Sequence, residues 1–374
     1  MGHGWRAWLI DRLMASWRVN RWVERRIRDE LAGLLDAGRR VPLPPRPQIA
    51  DTVGSTAAPM DDVGRKDLFS QLARARARPA LFVTARFRSG STLLWRMLDE
   101  LDGLAAYYEP LNPRRWHRLD SSGAVQDPTH AGIDDYRRNY DGLDDLDRFF
   151  RDDWSRHRLY MDERAADPDL EHFIAGIIAR APDGARPALQ FNRIDFRLAW
   201  LRSRFPAARI MHLYRNPRDS FISAIAGARL GTDARFADFA PHDRFYLREW
   251  IADLAKIWPP LMVEPQAHPY LPFYMLWRLS HAHGRYWADA TIRYEDLCRD
   301  PAAALAPALA ACGITPTAQA LAAITSMSRG LRPPRWPEFA PDDWFTAFES
   351  EGERRLAAFF AQAPAGAARG DDGR

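Results

Sequence analysis

Apolar runs and mixed polar stretches succeed one another along this chain in blocks that predict strands and helices in turn. Residues 81–84 form a short apolar run ending in β-branched Val83 and Thr84, which predicts a buried strand. From Ser91 onward Leu94, Leu98 and Leu101 recur at helical spacing, so a helix follows almost at once. The strand pattern returns over 188–193, after the turn pair Asp183-Gly184, and a helical stretch over 196–205 follows and ends at Pro206. A third strand is predicted over 209–214. A Trp-rich helical stretch over 243–289 comes next, interrupted at Pro259-Pro260 and from Pro265 to Pro272. The last strand is predicted over 290–294, with a turn at Glu295-Asp-Leu and a helix from Pro301. Strands separated by helices predict an α/β fold, a central parallel sheet with helices on both faces. Ligands of such sheets collect beyond the carboxyl ends of the strands, and there Arg88, Arg193 and Arg215 fall along one edge.

The two ends read differently. Over 1–38, Trp5, Leu9, Leu13, Trp17, Val23, Ile27, Leu31 and Leu34 make an apolar stripe beside Arg18, Arg21, Arg25, Arg26 and Arg28. That is an amphipathic helical extension, fit either for an anionic membrane surface or for packing on its own domain or a partner subunit. Residues 39–65, with Pro42, Pro44, Pro45 and Pro47, read as a linker or an extended surface strap. The main domain is expected over 66–362 and a disordered tail over 363–374. Residues 112–160 are crowded with Asp beside Tyr136, Tyr140 and Trp154, which predicts short helices over the site, as a substrate lid or as solvated surface.

Composition narrows the classes. A formal charge of +4, from 53 Lys and Arg against 49 Asp and Glu, is too mild to call for nucleic acid. Two cysteines, Cys298 and Cys312, make neither a disulfide framework nor a zinc site, which points to a reducing compartment and no metal. No apolar run reaches the roughly 18 residues of a membrane span. The first apolar stretch is broken by Asp11 and Arg12, unlike a secretory signal, and Arg6 stands where a myristoylation motif wants Ser or Thr. The expected location is the cytoplasm, with residues 3–38 as the one candidate contact for a membrane or an oligomer.

Arg86-Phe-Arg-Ser-Gly-Ser-Thr92 carries the chemistry. Strand, small-residue turn and helix make an anion cradle. Gly90 allows close backbone approach, the first helical N–H groups point at the ligand, and the helix dipole favours negative charge. Ser89, Ser91 and Thr92 add hydroxyls, and Arg88 adds a forked cation. The plain alternative is a polar turn with a hydroxyl cap. The Gly-x-x-x-x-Gly-Lys pattern of nucleoside triphosphate loops is absent.

Together these segments resemble the sulfotransferases that use 3′-phosphoadenosine 5′-phosphosulfate (PAPS), over roughly residues 79–330. Residues 81–98 are similar to that family's strand–loop–helix for the 5′-phosphosulfate. Residues 210–223 are similar to its 3′-phosphate site, a strand followed by Arg-x-Pro-Arg-Asp and a Ser eight residues after the first Arg, here Arg215 and Ser223. Ile292-Arg-Tyr-Glu-Asp-Leu297 resembles its late strand and turn. The resemblance implies the P-loop-like sulfotransferase fold, PAPS as sulfuryl donor and a hydroxyl-bearing acceptor. Arg88 would be the cation at the bridging oxygen, where relatives carry Lys or Arg, and Arg193 the second cation after the middle strand. A structural role for Arg193, and a surface pair of Arg215 with Asp219, are the competing readings. Glu109, before Pro110 on a short strand and 21 residues after Arg88, resembles the general base of the carbohydrate and tyrosylprotein branch. An exposed loop carboxylate is its alternative. No histidine stands in the context of the cytosolic branch's base, though His117, His130 and His212 are available. For the adenine-stacking ring Trp95 and Tyr294 are the candidates. The late Arg-Lys-Gly loop is reduced to Ser326-Met-Ser-Arg329-Gly330, where Arg329 would reach the 3′-phosphate. The resulting expectation is a sulfotransferase acting on a glycan, glycolipid or other larger acceptor. The rivals are a P-loop kinase or other nucleotide phosphotransferase, and a membrane-surface or oligomeric scaffold with a vestigial nucleotide site.

Overall fold

The computed structural model describes residues 53–57, 62–120, 135–228 and 230–362, and in it five strands form one parallel sheet. In chain order they are β1 (Leu81–Ala85), β2 (Leu104–Tyr108), β3 (Arg186–Phe191), β4 (Arg209–Tyr214) and β5 (Ala290–Arg293). Across the sheet they lie β2-β3-β1-β4-β5. Every residue of the central β1 is buried, which explains its continuous apolar run: a parallel strand covered on both faces has no polar side to show. Val83 pairs with Gln190 on one side and Met211 on the other, so the ends of β1, β3 and β4 come level.

Helices flank the sheet: α1 (Asp62–Ala77), α2 (Ser91–Asp99), α3 (Pro168–Arg180), α4 (Leu198–Arg204), α5 (Pro217–Ala224), α6 (Leu247–Leu254), α7 (Tyr270–Trp287), α8 (Tyr294–Arg299), α9 (Pro301–Ala311), α10 (Ala318–Ser326), α11 (Trp336–Phe339) and α12 (Asp342–Gln362). One apolar core follows the sheet, with Leu94, Leu98 and Leu101 against Phe82 and Tyr107. A second joins α5, α6, α7 and α12 through Phe221, Trp250, Tyr270, Met275 and Phe345. The segment over 144–155 forms two 3-10 turns, as the short-helix expectation had it.

Two boundaries differ from the sequence reading. Pro272 does not interrupt the helix but sits in the first turn of α7, where the N–H groups have no helical acceptor to lose. Glu295-Asp-Leu is not a turn, because α8 starts at Tyr294 directly off β5. Within the stretch read as linker or strap, Val53 N–H donates to the Ala166 carbonyl (3.2 Å), and Thr56 donates to the fully buried Asp169 through N–H (2.7 Å) and Oγ1 (2.9 Å). Ser55 Oγ donates to the same carboxylate. The helical extension over 1–38, His130 and the tail over 363–374 lie outside the described residues.

Candidate active site

The predicted cradle forms at the end of β1. Gly90 caps α2 with φ of 90°, and a Cβ built on it would strike the ring of Tyr294. Only glycine combines that left-handed backbone with that close approach. Ser91 and Thr92 open α2 and line a cleft of about 540 Å³, on whose wall Gly90, Arg88 and Tyr294 also lie. Ser89 departs from expectation. It is buried and its Oγ donates to the Arg86 carbonyl (2.6 Å), so it shapes the loop from beneath instead of facing the cleft.

The segment expected to meet a 3′-phosphate is formed by the end of β4 and the start of α5. Pro217 at the first turn and Asn216 as cap start α5, and Asn216 Oδ1 accepts from Arg218 N–H (2.9 Å). Arg88 Nε donates to Ser223 Oγ (2.9 Å), and Arg215 Nη1 donates to the Arg88 carbonyl (3.1 Å). The Arg215 guanidinium lies 4.8 Å over the Tyr294 ring, and its buried Nε has no hydrogen-bond partner among the described residues. The alternative pair with Asp219 is not what forms: Asp219 accepts from Arg335 N–H (3.0 Å). Burial pushes the Tyr294 phenol up to about 12. Among the candidates for adenine stacking, Tyr294 faces the cleft, whereas Trp95 is buried against Tyr136 and donates to the Ala106 carbonyl (3.0 Å).

Glu109 follows β2 directly, with φ of 41°, and it is buried, so the exposed-loop alternative does not hold. Its carboxylate accepts from Arg193 Nη1, Asn192 Nδ2 and Asn112 Nδ2 (2.9 Å), the first two at close range. Arg193 is equally buried, and its guanidinium lies over Phe87 (4.8 Å) and Tyr246 (5.7 Å). The base and second cation expected as separate parts therefore form one ion pair at the ends of β2 and β3. Burial, and then the Glu109 charge, hold the neighbouring Tyr108 phenol well above its ordinary range. Among the described residues five non-glycine residues have positive φ, and three of them, Arg88, Glu109 and Tyr246, line this cleft. Strained backbone gathers where side chains must be aimed.

Other candidates lie elsewhere. Arg329 is exposed after α10 and is not among the residues lining the cleft; nearby, Ser328 Oγ donates to the Cys298 carbonyl (2.8 Å) and Ser326 Oγ to the Ala323 carbonyl (2.6 Å). His117 is buried on Asp147 (3.1 Å), and His212 lies wholly inside, where burial drives its imidazole well below its usual range. Asn112, Asn192, Arg244, Phe245 and Tyr246 line the cleft without having been singled out. Asn192 alone carried a signal, standing next to Arg193.

A sulfotransferase family model matches residues 79–269, just over half of the chain. The chain belongs to the sulfotransferase family. Among solved structures, this sulfotransferase is similar to sulfotransferase STF9 from Mycobacterium avium, with 16% identity, a TM-score of 0.41 and coverage of 78% of this chain and 80% of that one. It is similar to STF1 from Mycobacterium tuberculosis H37Rv (16%, TM-score 0.39, covering 79% and 81%). The sulfotransferase domain of the Synechococcus PCC 7002 olefin synthase is a third (17%, TM-score 0.34, covering 76% and 95%). No curated protein sequence matches. Among the described residues no helix of the sulfotransferase is long and apolar enough to cross a membrane, and no group of three His, Cys, Asp or Glu side chains is placed to hold a metal.

Proposed function

We propose that this sulfotransferase transfers a sulfuryl group from PAPS to a hydroxyl of a glycan, glycolipid or other larger acceptor, as the carbohydrate and tyrosylprotein branch does. The observation that carries the reading is the sharing of one cleft by the anion cradle and the Glu109–Arg193 pair. The donor set fits PAPS: α2 offers N–H groups and hydroxyls to a phosphosulfate, while Arg215, with an unpaired buried Nε, and Ser223 suit a 3′-phosphate dianion. PAPS, when bound, supplies the activated sulfuryl group and a bisphosphate leaving group. For the rest the chain supplies positions and charge. Arg88 and the start of α2 would stabilise the leaving oxygens, and Arg193, paired with Glu109 in the same cleft, would supply a second positive charge. Glu109 accepts the proton of the attacking hydroxyl as the new S–O bond forms.

Thermal-shift titration separates this from the kinase and scaffold readings. Adenosine 3′,5′-bisphosphate is expected to stabilise the protein where ADP and ATP with magnesium do not. Arg215→Ala should weaken that binding about 10- to 100-fold, the worth of one charge-assisted contact. A preference for ATP would favour a phosphotransferase; no shift with any nucleotide would favour a scaffold. Glu109→Gln should cut turnover at least a hundredfold while bisphosphate affinity holds.

A further inference from the structure

An ionised carboxylate offers about four lone-pair directions. On Glu109, Oε2 accepts from Arg193 Nη1 and Asn112 Nδ2, while Oε1 accepts from Asn192 Nδ2. The Tyr108 phenol also meets this carboxylate, and of the amide and guanidinium donors Oε1 receives Asn192 alone. Asn192 is held in its turn, because Gln190 Nε2 donates to its Oδ1 (2.9 Å). Both amides are buried, at 1% and 5% exposure. Gln190 belongs to β3 and is fixed in register between Val83 of β1 and Tyr108 of β2.

The direction of this chain follows from its last member. A carboxylate only accepts, so Asn192 must turn its NH₂ toward Glu109, and its oxygen is then left to receive a donor from Gln190. Gln190 Oε1 ends the chain, buried and with no partner among the described residues. Leaving a buried amide oxygen unpaired is costly. The sheet carries that cost in one of its inner strands, beside the site.

We infer that Gln190 and Asn192 form an amide relay that aims Glu109, with Asn192 a positioning residue for sulfuryl transfer and Oε1 the oxygen that takes the acceptor's proton. The inference rests on Glu109 being the base. It adds that the base is orientated from the strand side by neutral amides, while Arg193 and Asn112 secure the other oxygen. The titratable groups facing Glu109 are Arg193 after β3, Tyr108 at the end of β2, and Tyr140 from the loop beyond, all of which the test leaves in place.

The test uses the full chain with glutamate labelled at the carboxyl carbon by ¹³C. The Glu109 resonance is identified as the one missing from Glu109→Gln. Turnover is followed with ³⁵S-labelled PAPS on a panel of p-nitrophenyl glycosides. Asn192→Asp keeps the shape but sets a second carboxylate against Oε1, so the two share a proton. The Glu109 titration midpoint should rise by at least one pH unit. The acid limb of the kcat profile should rise with it, and kcat at pH 7 should fall tenfold or more, with bisphosphate affinity within twofold of wild type. Gln190→Met, which frees Asn192 to turn, should lower kcat three- to tenfold with KM for PAPS unchanged. In a Glu109→Gln background Asn192→Asp should cost nothing further. Should Asn192→Asp not fold, Asn192→Ala removes the donor without adding charge and should move the midpoint the same way by less. An unmoved midpoint with kcat within twofold in both Asn192 variants would overturn the relay while leaving the base in place. Wild-type turnover in Glu109→Gln would instead remove the base, and the relay with it.

Discussion

The ring of Tyr294 lies close against Gly90, in the loop after β1. The backbone at Gly90 is left-handed, and the Tyr294 ring occupies the space that any Cβ would need. Gly90→Ala therefore combines backbone strain with a forced shift of the ring that stacks on Arg215. It is expected to destabilise the fold by about 1–3 kcal/mol and to abolish stabilisation by the bisphosphate, as read by urea unfolding with and without the nucleotide. Arg88, Gly90, Arg215, Ser223 and Glu109, which line one cleft, could be picked out as candidates because each sits in a local string with its neighbours. Asn112 and Asn192 were not, since an amide's role here exists only once the ends of β2 and β3 are side by side. Arg329 was read from a string that resembles a known loop, and it stands exposed after α10, where Ser328 Oγ donates to the Cys298 carbonyl.

Among the elements, α5 brings Ser223 to the cleft, and what holds α5 is α12. Arg218 donates to Glu349 through Nε (2.7 Å) and Nη2 (2.8 Å) and to Asp342 through Nη1 (2.6 Å), and its guanidinium lies over Trp336 (4.8 Å) and Phe345 (5.2 Å). Tyr270 of α7 donates to the same Glu349 (2.6 Å). The second Arg of Arg-x-Pro-Arg-Asp thus serves as a clamp between helices, while Arg215 lines the cleft. Arg218→Met removes one partner of a largely buried pair, which costs about 3 kcal/mol. The melting temperature should fall by several degrees and bisphosphate affinity should weaken, measurable in one calorimetric and one titration series. Glu349→Gln should reproduce the loss in milder form. The strands themselves could be approached from sequence because parallel strands advertise themselves as apolar runs. This clamp could not, because nothing in a strand-and-helix pattern says which distant helix a surface-looking arginine will meet.

Over the molecule as a whole, buried imidazoles set the response to acid. His283 lies among Phe196, Tyr160 and Trp258, and burial pushes it down to about 4. Burial likewise lowers His268 to about 4, and His212 falls well below its usual range. In the unfolded chain each titrates near ~6.5. Between about 6.5 and about 4 the unfolded state therefore binds the extra protons, and stability is lost as pH falls through that window. Each group contributes up to about 1.4 kcal/mol per pH unit there. Urea midpoints should be level above about pH 7 and decline toward pH 5, and His283→Leu should make the decline shallower. The expected fold class was legible in the alternation of strands and helices, but these histidines were not, since ten scattered imidazoles look alike until their surroundings are known. The strap before α1 has a consequence of another kind. The family match runs from 79 to 269, yet the hydroxyls and N–H that answer the buried charge of Asp169 come from residues 55 and 56. The fifth strand, the ring over Gly90 and the helix that clamps α5 come from beyond the other end. What can be moved between relatives as a working piece is therefore larger than what a family pattern recognises.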